Sequence, residues 1–449
     1  MNLNPVMVPP VETANRCIKT PIPVPESLPL LEKLRRYEPR ALQVLAPVVW
    51  ERAEGWRIFD PYGNSWIDFT SGIYVANTGH AHPDVRRALQ AQIDQKLLHA
   101  YLFATDVRAR LVEKLVQMTP ASLSKVFLLS TGSEAIECSL KLARLHGLRT
   151  DPQKTILVSF TGAFHGKTMG AQMLASAPDH KSWIVNPDPD ICQIPFPRHQ
   201  CGGEFLEQSL QQLASQGQDP NRIAAFILES FQGVGGPVFY PEDYVQALGR
   251  WAGDHGALVI FDEIQAGYGR TGKFLAYEHY GVEADLVCCG KGMSSSLPLS
   301  AVLGRAEILD IPEPGQMTST HTANPLCCAA ALATLEILER EGLVEASARK
   351  GRIFQQGLEN ILGAHPDRIN AIRGRGLVQA VFFNDHLENP DRELAERVTD
   401  KAIGKGLMLF HTHGDLVKMG PPLIISEEAL KEGIAVLAES VAEALSEET

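Results

Sequence analysis

Between about residues 120 and 310 the chain repeats short apolar runs at 126–130, 156–160, 223–229, 257–262, 285–289 and 301–304, with helical patterns between several of them. Each run is too short for a core helix, is rich in Val, Ile, Leu and Phe, and does not alternate with polar residues. A strand with one wet face alternates, so these runs fit strands buried on both faces of a mainly parallel sheet. The stretch 134–146 is helical in spacing, with Ile136, Leu140 and Ala143 on one face. Strand and helix in alternation predict an α/β fold with a large, mainly parallel sheet.

The chain has 449 residues, 45% of them hydrophobic and 21% charged, enough apolar material for more than one domain and too much for disorder. A helix is predicted from the N-cap Asn324 and Pro325 through Arg340. Beyond it come a turn at Arg373-Gly374-Arg375-Gly376, strand-like runs at 377–383 and 407–410, and an amphipathic helix over 427–445. The expected organisation is an N-terminal arm over 1–30, a large domain over 76–335, and a smaller α+β domain from 31–75 and 336–449. The arm holds seven of the prolines and no apolar run of the signal-peptide kind.

A net charge of -12 disfavours nucleic acid and anionic membranes as partners. No stretch reaches the roughly 18 uninterrupted apolar residues of a spanning helix. Eight cysteines, including the neighbours Cys288-Cys289 and Cys327-Cys328 but no CxxC, read as free thiols, and a cytoplasmic protein is expected. The histidine pairs His80/His82 and His411/His413 lack the Cys or carboxylate partners of a metal site.

Two glycine motifs imitate phosphate loops. Residues 267–274 satisfy both GxGxxG and GxxxxGK, but Phe274 stands where a magnesium-binding Ser or Thr is required. Residues 162–168 follow a strand, but the loop is one residue short of what wraps a phosphate. Both departures disfavour a nucleotide-binding reading, which stays open as a rival that would bind ATP with magnesium.

Four other features share one chemistry, that of an aromatic cofactor with a phosphate tail. Ser130-Thr131-Gly132-Ser133-Glu134 ends a strand and opens a helix, with Thr131 and Glu134 spaced as a capping box. The free N–H groups and positive dipole end there suit a phosphate. Asp262, at the carboxyl end of its strand, stands where α/β proteins place ligands and can hold a protonated pyridine nitrogen. Lys291 ends another apolar run; partly buried, its amine is lowered in pKa and available to form an imine. Phe164, in Phe164-His165-Gly166, can stack on a ring.

In combination these residues resemble the class III (subgroup II) aminotransferases, pyridoxal-phosphate enzymes of fold type I. The similarity runs from about residue 40 to about residue 430. Its landmarks are Asn77-Thr78-Gly79-His80, residues 131–135, Phe164-His165-Gly166, residues 262–272, Gly290-Lys291-Gly292, residues 320–325, Arg373-Gly374 and Pro421-Pro422-Leu423. The resemblance implies pyridoxal 5'-phosphate as cofactor and Lys291 as its Schiff-base lysine and proton carrier. Asp262 would meet the pyridine nitrogen, Gln265 the 3′ oxygen, and Ile264 and Phe164 the two ring faces, with His165 beside them. Thr131, Gly132 and Ser133 would hold the phosphate, and Thr320 would reach the phosphate of a neighbouring subunit, implying a homodimer with shared sites. Ile73, Lys167 and Arg373 would bind substrate.

The implied reaction is ping-pong transfer of an amino group from a primary amine (an ω-amino acid, amino acid, diamine or amino sugar) to a 2-oxo acid. The same fold and lysine also serve racemases, epimerases and decarboxylases. Two positions depart from the common pattern. In Glu229-Ser230-Phe231-Gln232-Gly233-Val234, Val234 replaces the glutamate that pairs with the substrate arginine in many members, and Ser230 replaces a proline. Lys167 stands where an arginine often offers a bidentate grip. An amine donor other than a simple 4-aminobutyrate analogue is therefore expected.

Overall fold

The computed structural model describes residues 3–42, 46–197, 202–384, 391–411 and 415–447; Cys201 and His413 lie outside the described residues. Contacts divide the chain into two compact units, Pro83–Glu345 and Met1–His82 with Ala346–Thr449. These seams lie beyond the expected 75/76 and 335/336 for physical reasons. The helix Pro325–Arg340 packs against the helices Pro83–Asp94 and Asp106–Gln117, which keeps it in the larger unit. At the other seam, backbone bonds join Gly55 to His80, and His80 Nε2 lies 2.7 Å from Asp68 Oδ2.

The larger unit is built on a seven-stranded sheet. Its spatial order is Lys125–Leu129, Ser300–Gly304, Leu286–Cys289, Leu258–Asp262, Ile223–Glu229, Ile156–Phe160 and Ile191–Ile194. Only Ser300–Gly304 runs antiparallel to its neighbours. Every residue of Ile156–Phe160, Ile223–Glu229, Leu258–Asp262 and Leu286–Cys289 is buried, which is why these strands read as continuous apolar runs. Each buried large aliphatic or aromatic side chain contributes roughly 1.5–3 kcal/mol. The edge strand Ile191–Ile194, half-buried and containing Cys192 and Gln193, gives no such run and is not anticipated by the apolar pattern.

The helix Gly132–Thr150 lays Ile136, Leu140 and Ala143 into the core shared with Leu157, Ile227, Ile260 and Val302. The helix Pro325–Arg340 starts as expected: Asn324 Oδ1 accepts from the N–H groups of Leu326 and Cys327 at 3.0 and 3.4 Å. Residues 267–274 form turns around a fully buried Arg270, and no α-helix opens at Gly272.

The smaller unit contains two sheets. In one, Ser65–Asp68 pairs antiparallel with Arg57–Phe59 and parallel with Leu407–Met408. Two short strands from the expected arm join this sheet: Val11–Glu12 pairs with Cys17–Ile18, and Cys17 pairs with Ser65. Ile18, Ile22 and Val24 share an apolar cluster with Ile58 and Trp66, so the later part of the expected arm packs into this unit, while Val6 and Met7 are exposed. The other sheet is antiparallel, in the order Ile369–Arg375, Val378–Phe383, Leu416–Met419 and Phe410–His411. Arg373 and Gly374, expected in a turn, lie within the strand Ile369–Arg375; the ladder pairs Arg373 with Ala380 and Gly374 with Gln379. The single strand expected at 407–410 is two, because the chain changes sheets at Leu409.

Candidate active site

Three neighbouring strand ends of the larger sheet carry the chemistry. The parallel register sets Asp262 beside Glu229 on one side and beside Cys288 on the other. Lys291 follows two residues after the strand Leu286–Cys289. Paired residues of adjacent strands face the same side of a sheet, so two buried carboxylates stand together at its carboxyl edge. The Asp262 Oδ1 atom accepts from the N–H of Ile264 at 3.0 Å, and Oδ2 lies 2.9 Å from His165 Nδ1. The Glu229 carboxylate accepts from the N–H groups of Phe164 and Gly233, both at 3.0 Å.

These contacts set the local electrostatics. Burial would lower the pKa of His165, but the Asp262 hydrogen bond and the charges of Asp262 and Glu229 raise it above its ordinary value. Burial lowers the Lys291 amine, against the pull of the same two carboxylates. Lys291 also has a φ of 42°, an uncommon conformation for a side chain of its size.

The helix Gly132–Thr150 begins beside this edge. Thr131 caps it: its Oγ1 accepts from the N–H of Glu134 at 3.3 Å, while Glu134 Oε2 accepts from the N–H groups of Ser130 and Thr131 at 3.0 and 2.8 Å. That reciprocal box occupies Thr131 and leaves Gly132 and Ser133 at first-turn positions whose N–H groups have no intrahelical acceptor. The side chain of Ile264 closes on Gly132: a Cβ there would lie 2.9 Å from Ile264 Cγ2. Gly166 has a φ of 136°, and a Cβ on it would meet Ser133 Oγ at 2.3 Å, so glycine lets the Phe164-His165-Gly166 turn approach the helix start. Gln265 Oε1 lies close over Gly233, 2.5 Å from where its Cβ would stand.

The structure therefore brings together Gly132, Ser133, His165, Asp262, Ile264 and Lys291, with Phe164 36% exposed at the margin. Lys167 and Thr320 are exposed; Ser319, next to Thr320, bonds Glu134 Oε1 at 3.5 Å. Ile73 and Arg373 belong to the smaller unit. Ile73 sits in the turn Ser71–Tyr74, and the Arg373 guanidinium lies over the Phe382 ring at 5.4 Å. In the sequence Glu229 ends the run 223–229 and opens the segment 229–234, with no role of its own. Its position as the last residue of an apolar run, matching Asp262, is the signal that could have singled it out.

Together these groups suit one kind of ligand. A helix start with glycine suits a phosphate, a buried carboxylate suits a basic ring nitrogen, and a lysine of lowered pKa suits an aldehyde. His165 Nε2 is buried with no partner among the described residues, a donor or acceptor turned away from Asp262 and free for a bound group.

The comparisons agree with that chemistry. The family model for class-III aminotransferases matches residues 37–441. The chain is 34% identical over 420 residues to the 5-aminovalerate aminotransferase of Pseudomonas aeruginosa, covering 91% of this chain and 97% of that protein. It is 31% identical over 443 residues to the alanine/serine racemase of Pyrococcus horikoshii, covering 94% and 92%. A transaminase from the marine bacterium Virgibacillus superposes with a TM-score of 0.87 at 25% identity, over 94% of this chain and all of that one. The fold is that of the fold type I pyridoxal-phosphate enzymes, and this chain belongs to the class III aminotransferases. It uses pyridoxal 5'-phosphate to move an amino group between an amine donor and a 2-oxo acid, by a ping-pong mechanism through a lysine Schiff base. Among the described residues no helix is long and apolar enough to cross a membrane, and no cluster of His, Cys, Asp and Glu could hold a metal ion.

Proposed function

We propose that Lys291 is the lysine of this chemistry and that Asp262 holds the cofactor's ring nitrogen protonated. The observation that carries the reading is the sheet register: Asp262 pairs with Cys288, three residues before Lys291, and the amine of Lys291 is held below its ordinary pKa by burial. Bound pyridoxal phosphate supplies an electron sink that makes a Cα–H bond acidic. Lys291, as a free amine, moves the proton released there. Gly132 and Ser133 offer backbone N–H groups to the phosphate, with Thr131 fixing the helix start. Ile264 and Phe164 would flank the ring, and Gln265 would face its 3′ oxygen.

Ile73, Lys167 and Arg373 are proposed to bind substrate, with Arg373 taking a carboxylate. Because Val234 offers no charge to such an arginine, the donor is proposed to be a primary amine other than a simple 4-aminobutyrate analogue. Two further elements belong to the proposal. The chain works as a homodimer, supported by the exposed apolar side chains of Leu98, Leu102 and Phe103 in a segment next to Thr320: Asn324 Nδ2 donates to Leu98 O at 2.9 Å, and the His99 and His321 rings are 5.5 Å apart. It resides in the cytoplasm, supported by cysteines that are free at every described position.

Borohydride reduction of the holoenzyme, digestion and mass spectrometry test the lysine: the cofactor mass is expected on the peptide containing Lys291, and finding it on another lysine overturns the assignment. A panel of α-amino acids, ω-amino acids, diamines and amino sugars, scored by loss of cofactor colour and its return with a 2-oxo acid, identifies the donor. Val234→Glu is expected to shift selectivity toward 4-aminobutyrate and its analogues; unchanged selectivity removes this position from the specificity argument. Light scattering is expected to give a dimer, and Phe103→Asp to weaken it.

A further inference from the structure

Glu229 is used by none of the roles above, yet it is 7% exposed and stands in register with Asp262. Like charges on neighbouring strands repel, and a buried carboxylate persists only with partners. Each of its oxygens has one. Oε2 accepts from the N–H of Phe164, and Oε1 from the N–H of Gly233, both at 3.0 Å. The first turn carries His165, whose Nδ1 is 2.9 Å from Asp262. The second lies under Gln265, whose Oε1 is 2.5 Å from where a Cβ on Gly233 would stand. One carboxylate thus holds the backbone of the turn that carries Phe164 and His165 and the glycine that packs against Gln265.

We propose that Glu229 is a positioning residue of the transamination site: it ties the two turns beside Asp262 together, one oxygen to each, and sets the charge that His165 and Lys291 experience. The proposal rests on the assignment of Asp262 and Lys291 given above. The ionisable groups facing Glu229 are His165 from the turn after Ile156–Phe160, Asp262 from the adjacent strand, Lys291 beyond the next strand, and the Tyr240 phenol. Burial pushes the Glu229 carboxyl up to about 7, with His165 opposing and Asp262 adding to the shift. Its negative charge raises both His165 and Lys291, so its removal is expected to lower both.

Glu229→Gln in the holoenzyme tests this. The amide keeps the shape but has one acceptor oxygen, so it holds one turn and presents an N–H to the other. Retained cofactor is expected, with an altered visible circular dichroism and a pH midpoint of the visible band lower by about one unit, a tenfold change in the proton equilibrium. The amine half-reaction is expected to slow about 10- to 100-fold through misplacement of the ring. Glu229→Asp keeps the charge but is one methylene short. Its pH midpoint is expected near the wild-type value with the circular dichroism still altered. A pH midpoint and circular dichroism unchanged in Glu229→Gln overturn the proposal, even if the melting temperature falls, because a merely structural role moves only the latter. Should Glu229→Gln not fold, unchanged circular dichroism in Glu229→Asp overturns it. Failure of the Lys291 assignment shows separately, in the reduced peptide.

Discussion

Asp262 closes a five-residue strand whose every residue is buried, while Ile73 lies in Ser71–Tyr74, a run with φ values of 50, 58, 64 and 65°. The first is aimed by the regular ladder of a sheet. The second is aimed by a left-handed turn that costs an ordinary residue roughly 1–2 kcal/mol and has to be held by side chains. Asp68, fully buried, accepts from the N–H and Oγ1 of Thr70 and lies beside His80 Nε2, each at 2.7 Å. Thr70 Oγ1 in turn accepts from the N–H of Gly72 at 3.1 Å, and Ser71 Oγ donates to Gly420 O at 2.6 Å. A sheet edge thus positions a group through many weak, repeated bonds, whereas the turn depends on a few particular ones.

That difference can be broken from either end. Asp262→Asn leaves the ladder intact and is expected to slow the amine half-reaction about a thousandfold, the scale of losing a preorganised electrostatic partner, with little change in melting temperature. A comparable loss of stability in stopped-flow and melting experiments would mean that the ladder needs the charge. Asp68→Ala removes three accepted bonds at a buried position and is expected to destabilise the fold by about 3 kcal/mol, measured by urea denaturation. A value below about 1 kcal/mol would show that the turn does not rely on this carboxylate.

The smallest effects come from two glycines needed for different reasons. Gly72 has nothing within 4 Å of a would-be Cβ but a φ of 58°, so Gly72→Ala is expected to cost about 1 kcal/mol of stability by backbone strain alone. A Cβ on Gly132 meets Ile264 at 2.9 Å, so Gly132→Ala is expected to leave stability nearly unchanged and weaken cofactor retention several-fold, read by equilibrium dialysis. Exchanged outcomes at the two positions would reverse the distinction.

The same contrast governs what the sequence makes legible. Leu258–Asp262, Ile223–Glu229 and Leu286–Cys289 are legible because burial on both faces selects apolar residues at every position. Asp262 and Lys291 stand out because each ends such a run. Ser71–Tyr74 is not legible: the oxygen that Ser71 bonds belongs to Gly420, 349 residues away, and no local pattern encodes it. The strand Ile369–Arg375 is mostly half-buried, and Gly374 with Gly376 just beyond it reads as a turn although the ladder carries Gly374 at a φ of 148°. Glu229 ends an apolar run as well; what the sequence does not show is that the next strand places Asp262 beside it.

The parallel pairing of Ser65–Asp68 with Leu407–Met408 bears on how the chain is made. During synthesis the first 82 residues emerge long before residue 407, a delay of about 15 to 65 s at about 5–20 residues per second. Throughout it, the indole of Trp66 lacks Ile403 O, the acceptor it meets at 2.8 Å in the finished fold. Pro83–Glu345 is a continuous segment and can collapse on its own as it emerges, so the beginning of the chain waits, partly unpaired, for its end.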